Sequence, residues 1–206
     1  RTDLDVLAVN IQQNNERCPI NYVTPPGVVR EQLYNNNTVI NQDEQSLSLR
    51  VGGDGLESGD SRAVFKNVSV DMRQFKKLKL FLHAESLPNE IAIRDNQMIG
   101  FIRFGNDFTQ NFYQIEIPLK VTLPSSSSTT NCSPLSAEVV WPEDNQIDLS
   151  LDLLTKLKVL AMGIDPTTLP LDGIYYKNED ELDSRLSNKT NKLRLGIKGN
   201  PNFGLV

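Results

Sequence analysis

The stretch Tyr113-Gln-Ile-Glu-Ile-Pro-Leu-Lys-Val121 places an apolar residue at every odd position, with Gln114, Glu116, Pro118 and Lys120 between them. Successive side chains of a strand point to opposite faces, so this spacing predicts a strand with one buried and one wet face. Pro118 has no N–H to give to a ladder, which points to an edge position or a bulge. The same two-residue rhythm returns at Leu47, Leu49 and Val51, at Leu78, Leu80 and Leu82, and at Leu193, Leu195 and Ile197. Arg50, Lys79 and Glu116 fall on the polar sides of these segments, as in a water-facing antiparallel sheet.

Working outward, Leu4, Val6 and the Val9 to Ile11 region predict a first strand, and 28–32, 63–70, 77–84, 99–105, 111–122 and 137–141 predict others. Asn35-Asn-Asn37 separates two of them, and Gly52-Gly-Asp-Gly-Leu-Glu-Ser-Gly-Asp60 reads as an exposed loop, because so many glycines resist regular structure. Ile147, Leu149 and Leu151 alternate; then Leu153, Leu154, Leu157, Leu160 and Ala161 adopt helical spacing, predicting one short helix near 151–162. The Ser/Thr-rich stretch 124–134 and the polar run 166–191 read as loops. The expected fold is mainly β, an antiparallel, jelly-roll-like β-sandwich with that single helix. We expect 1–27 to be an N-terminal extension, 28–165 the sandwich, and 166–206 a polar excursion whose returning strand packs on the same domain.

With 206 residues the chain is long enough to bury a core without staples, and its net charge of −5, with cations scattered along strands, argues against nucleic-acid binding. No run of roughly 18 apolar residues is present, so no helical span is expected. The chain opens at Arg1 and ends on Phe203-Gly-Leu-Val206, and is read as a piece of something longer. The default reading of Cys18 and Cys132 is two unpaired thiols. A disulfide closing a long loop is the sharper alternative, and spacing alone leaves the pairing open.

Catalytic chemistry has little to stand on. His83 is the single histidine and reads as an ordinary surface residue; Ser86 and Cys132 could be recruited as nucleophiles, but no nucleophile elbow, phosphate loop or dinucleotide fingerprint surrounds them. No catalytic, metal or cofactor residue is assigned, and no enzyme is expected. Asp54, Glu57 and Asp60 share one glycine-rich loop, where weak calcium binding is conceivable although the spacing is not that of an EF-hand. Phe108, Tyr175 and Tyr176 are the candidate exposed aromatics for a ligand or partner contact, whereas Trp141, just before Pro142, reads as a core plug.

Four stretches together resemble a known family: 27–42 (Gly-Val-Val-Arg-Glu-Gln-Leu-Tyr-Asn-Asn-Asn-Thr-Val-Ile-Asn-Gln), 62–85, 97–119 and 191–205. They are similar to the SprA (Sov) family of Bacteroidota, giant outer-membrane translocon proteins of type IX secretion and gliding motility. The resemblance covers most of 27–205 and is weaker over 124–136 and 163–190. It implies a soluble domain of a much larger barrel protein, at the outer membrane or cell surface; the residues do not reveal which side of that membrane it faces, and the extracellular side is favoured over the periplasmic. The implied partners are secreted cargo, a PorV-type barrel and a periplasmic plug, with membrane contact only through the parent barrel. The expected function is therefore non-catalytic: shaping the exit path and contacting cargo or partner subunits. The alternative is a carbohydrate-binding module of a cell-surface protein.

Overall fold

The computed structural model describes residues 1–35, 38–88, 90–107, 112–126, 128, 130–162, 174–178, 181–183 and 192–195; at 33–35, 38–41, 157–158, 160–162 and beyond 173 it describes the backbone alone. In chain order the elements are β1 (Thr2–Asn10), β2 (Gln32–Asn35), β3 (Thr38–Asn41), β4 (Gln45–Gly53), β5 (Lys77–Phe81), β6 (Ile99–Gly105), β7 (Phe112–Pro118), α1 (Ala137–Val140), β8 (Gln146–Ser150), α2 (Asp152–Met162), β9 (Ile174–Asn178), β10 (Glu181–Asp183) and β11 (Lys192–Leu195). The chain is mainly β. Its described strands pair antiparallel, in three two-stranded sheets (β1-β4, β2-β3, β5-β8) and one sheet of order β10-β9-β11-β7-β6.

Two compact units emerge, each assembled from separated stretches: 1–68 with 122–143, and 69–121 with 144–205. In the first, β1 and β4 form a ribbon running from Thr2↔Gly53 to Asn10↔Gln45. Its end is tied down where Ile11 N–H donates to Glu44 O at 3.0 Å and Gln12 Oε1 accepts from Glu44 N–H at 2.8 Å. The buried apolar residues here are Ile11, Ile20, Val140 and Trp141. Three links bring 122–143 back onto the N-terminal stretch. Cys18 and Cys132 are bonded, with Cα atoms 5.7 Å apart. The Asn21 side chain accepts from Leu135 N–H and donates to Leu135 O. Trp141 Nε1–H donates to Val23 O at 2.6 Å, which gives its buried indole a partner and makes it the expected plug. The thiols are therefore paired, against the default reading.

In the second unit, Ile115 and Ile117 of β7, Ile147 and Leu149 of β8, and Leu151, Leu153 and Leu154 form one buried cluster. Leu78 and Leu80 of β5 and Ile102 and Phe104 of β6 pack against it. The register explains the selection: Leu78 faces Leu149 and Leu80 faces Ile147, while Lys79 faces Asp148 on the other side of the β5–β8 pair. α2 lies where the helical spacing placed it; Leu153 and Leu154 are buried, and Asp152, Thr155, Lys156 and Val159 form an exposed stripe.

Several expectations fail for physical reasons. Residues 63–70 belong to no strand, because strand propensity is realised only against a neighbouring strand. Residues 137–140 form a helical turn, not a strand. Ser136 precedes it in extended conformation, and Trp141 N–H closes it onto Ala137 O at 2.8 Å. The Glu138 carboxyl is held below its usual range by its own backbone N–H and the Ser136 hydroxyl, and Pro142 disfavours helix at the residue before it. The strand candidate 28–32 gives way to β2 and β3, which pair from Gln32↔Asn41 to Asn35↔Thr38. Finally, β7 is an interior strand with β6 on one side and β11 on the other. Pro118 is its last residue, past the final β11 rung at Lys192↔Glu116, so it costs no ladder bond there.

Candidate interaction surface

In an antiparallel pair, directly opposed residues share a face. One face of the β1–β4 ribbon therefore carries the pairs Leu4↔Val51, Val6↔Leu49 and Ala8↔Leu47, with no charged residue among them. The other carries Asp5↔Arg50, Leu7↔Ser48 and Val9↔Ser46. The apolar face is not covered: Val6, Leu47 and Leu49 are exposed, Leu47 by 59%. Neither strand has a second strand neighbour among the described residues. A free two-stranded ribbon is marginal in water, and open edges with an apolar face are where other chains bind. The same unit exposes Val64, Phe65 and Val68. Among its described residues, more large apolar side chains lie open than lie buried, and apolar surface of that extent marks an interaction site.

The second unit holds a different arrangement, a polar row inside the sheet. Gln114 is 0% exposed and Glu116 is 4% exposed. Arg103 Nε–H donates to Gln114 Oε1 at 2.6 Å, and Gln114 Nε2–H donates to Glu116 Oε1 at 2.6 Å. The Arg103 guanidinium sits 4.0 Å over the Phe112 ring. Stacking on an aromatic face and a bonded amide satisfy a cation that would otherwise be costly beside a buried strand. The backbone register extends the row outward: Arg194 stands opposite Gln114, and Lys192 opposite Glu116. Gln114 and Glu116 are thus buried, not wet as the alternation implied.

A sequence profile of the SprA_N family, described as a motility related/secretion protein, matches residues 1–204. The chain belongs to the SprA_N family. Among curated proteins, none matches it. The family is one of motility and secretion, not of enzymes, and no helix of this SprA_N chain among the described residues is long and apolar enough to cross a membrane.

Of the contact residues predicted for this SprA_N chain, Tyr175 and Tyr176 lie on β9, where Tyr175 is in register with Lys192 and Tyr176 with Leu182. Their side chains, and Phe108 altogether, lie outside the described residues. The loop carboxylates do not converge. Asp54 pairs with the amine of Arg1, and Asp60 lies 3.9 Å from Arg62. No three His, Cys, Asp or Glu residues gather as metal ligands among the described residues. His83 Nε2 is 3.4 Å from Glu85 Oε2, Ser86 Oγ accepts from Ile93 N–H at 3.0 Å, and Cys132 is oxidised. The histidine and its two paper nucleophiles thus have structural partners of their own. A shallow hollow lined by Asp152, Thr155, Lys156 and Val159 is the exposed stripe of α2.

Proposed function

We propose that this chain is a structural and interaction domain of an outer-membrane translocon serving type IX secretion and gliding motility in Bacteroidota. It works through its contacts rather than through bond-breaking chemistry, shaping the exit path and touching cargo, a PorV-type barrel subunit or a plug. The observation that carries this reading is the uncovered apolar face of the β1–β4 ribbon, centred on Val6, Leu47 and Leu49. Membership of a motility and secretion family supports the setting. The Cys18–Cys132 disulfide favours an oxidising compartment, which suits the cell surface or periplasm, and we favour the outer face. Within the second unit, the cluster shared by β5, β6, β7 and β8 supports a sandwich of two antiparallel sheets.

The test is site-specific photo-crosslinking in the full-length parent protein in cells. A crosslinker replacing Leu47 or Leu49 is expected to capture a secretion subunit or cargo, and one at exposed Lys156 to capture neither. Capture from Lys156 alone, or from no position, would remove the ribbon as the working surface.

A further inference from the structure

β1 runs from Thr2 to Asn10 in an unbroken register against β4 and contains no proline. The ladder fixes which of its main-chain groups are already used. Ile11 N–H donates to Glu44 O, and Asp54 N–H donates to Arg1 O, at the two ends of that register. In an antiparallel pair, residues that exchange main-chain bonds alternate with residues that do not. Asp3, Asp5, Leu7 and Val9 therefore bond to β4, and Leu4, Val6 and Ala8 turn their N–H and C=O groups to the open side. Among the described residues, these three make no hydrogen bond on that side. Their side chains belong to the apolar face, where Val6 and Ala8 are exposed. On the opposite face Asp3 and Asp5 are exposed, and neither has a cation within ion-pair distance among the described residues, Arg50 across the ladder included. β1 carries these two anions and no cation, whereas the one charged residue of β4 is Arg50.

We propose that the open edge of β1 receives an extended segment of another polypeptide as a third strand, apolar opposite Leu4, Val6 and Ala8 and cationic opposite Asp3 and Asp5. This rests on the reading of the first unit as an interaction domain and names the chemistry of one partner. Main-chain hydrogen bonds to Leu4, Val6 and Ala8 supply the pairing. A third strand also widens the apolar face of a ribbon that is marginal alone. Side chains supply the selection. Exposed edges are commonly guarded by charge, proline or a bulge; β1 has only Asp3 and Asp5, so its guard is also its filter. Opposite-charge cross-strand pairs stabilise and like-charge pairs destabilise, so a cationic strand is admitted and an acidic one is turned away. The edge of β4, with Arg50 alone, would choose the reverse charge.

The 206-residue chain is titrated with the synthetic peptide Gln-Ser-Leu-Ser-Leu-Lys-Val-Lys-Gly, which is the β4 sequence with lysine in the places of Arg50 and Gly52, and with a counterpart carrying Glu at both places. Amide hydrogen exchange is followed residue by residue. The lysine peptide is expected to slow exchange at Leu4, Val6 and Ala8 by about tenfold, and to change Asp5 and Leu7, already bonded to β4, much less. The glutamate peptide is expected to bind about tenfold more weakly, and Asp3→Asn combined with Asp5→Asn to remove the preference while leaving the thermal midpoint unchanged. Four results would each overturn the proposal: no slowing at millimolar lysine peptide, equal binding of both peptides to the native chain, slowing confined to Leu47, Leu49 and Val51, or concentration-dependent slowing of the same β1 amides without peptide, which would make a second copy the occupant. Loss of this binding with crosslinks from Leu47 intact would sink the strand-addition site alone. Loss of both would sink the interaction domain.

Discussion

Asn145 imitates a strand residue for Lys120: its Oδ1 accepts from Lys120 N–H at 2.7 Å and its Nδ2–H donates to Lys120 O at 2.8 Å. The side chain is fully buried, so these two bonds replace the ladder that the chain leaves after β7. Removing them strands a backbone donor and a backbone acceptor. Asn145→Ala is expected to cost about 1–3 kcal/mol in urea unfolding. Asn145→Asp should cost at least as much, because a carboxylate accepts from the N–H but repels the carbonyl. A loss below about 0.5 kcal/mol for both variants would show that water replaces the amide.

Burial of both faces of β7 makes a sharp prediction. Ile117→Lys and Glu116→Lys are both expected to unfold the second unit, one by burying an unpaired ammonium and the other by placing it in the row next to Gln114 and Arg103. Lys79, exposed and 3.3 Å from Asp148, should tolerate Ala within about 1 kcal/mol. Circular dichroism of the three variants separates an interior strand from a half-wet one: a well-folded Glu116→Lys would restore the wet face.

The disulfide closes a separation of 114 residues, a loop for which chain entropy predicts close to the upper end of the usual range, about 4–5 kcal/mol. Cys18→Ser or Cys132→Ser is expected to remove up to that amount, about 2–5 kcal/mol, and to raise hydrogen exchange in 122–143 more than in β5 to β8. Equal exchange in the two regions would mean that Asn21, Leu135 and Trp141 hold the return stretch unaided.

Asp95 gives the pH dependence. Its carboxyl is held below the ordinary value of 3.8, first by the Val121 N–H that it accepts at 2.8 Å and then by Lys120. A group whose value is lowered on folding contributes fully above its unfolded value and loses the contribution as pH falls through the folded one. The gap in thermal midpoint between the native chain and Asp95→Asn should be constant from neutral pH down to about 5 and should close below 3.8. A gap that changes between pH 6 and 8 would assign the effect elsewhere.

The legible part of the fold is the part written in local pattern. The alternations at Leu47, Leu78 and Ile115 and the helical spacing at Leu153 to Ala161 place β4, β5, β7 and α2, because periodicity reports which face meets a core. What escapes is whatever depends on a distant partner. Gln114 and Glu116 look solvated beside Ile115 and Ile117; their burial depends on partners that local pattern does not show, such as the Arg103 guanidinium that reaches Gln114 from β6. Residues 63–70 have a strand's composition without its neighbour, and Ala137 to Val140 turn because of Pro142 and the pairing of Trp141 with Val23. The open ribbon was missed as a surface because the pattern that builds a core is the pattern that builds a docking face. The amide bridges of Asn21 and Asn145 leave no sequence signal at all, since asparagine is equally at home in a turn.

The interleaving of the two units has a consequence for synthesis. A chain delivered from its N-terminus cannot finish the first unit while 69–121 are arriving, since its closing stretch comes only with 122–143. Nor can the second be completed before the first has received its last segment. Until Cys132 emerges, Cys18 lacks its partner on an unfinished body, open to capture by whatever oxidant or foreign cysteine it meets first. Emergence of the stretch that ends at residue 143 is thus the checkpoint of assembly, and a pause just before it would leave the nascent molecule most exposed to mispairing.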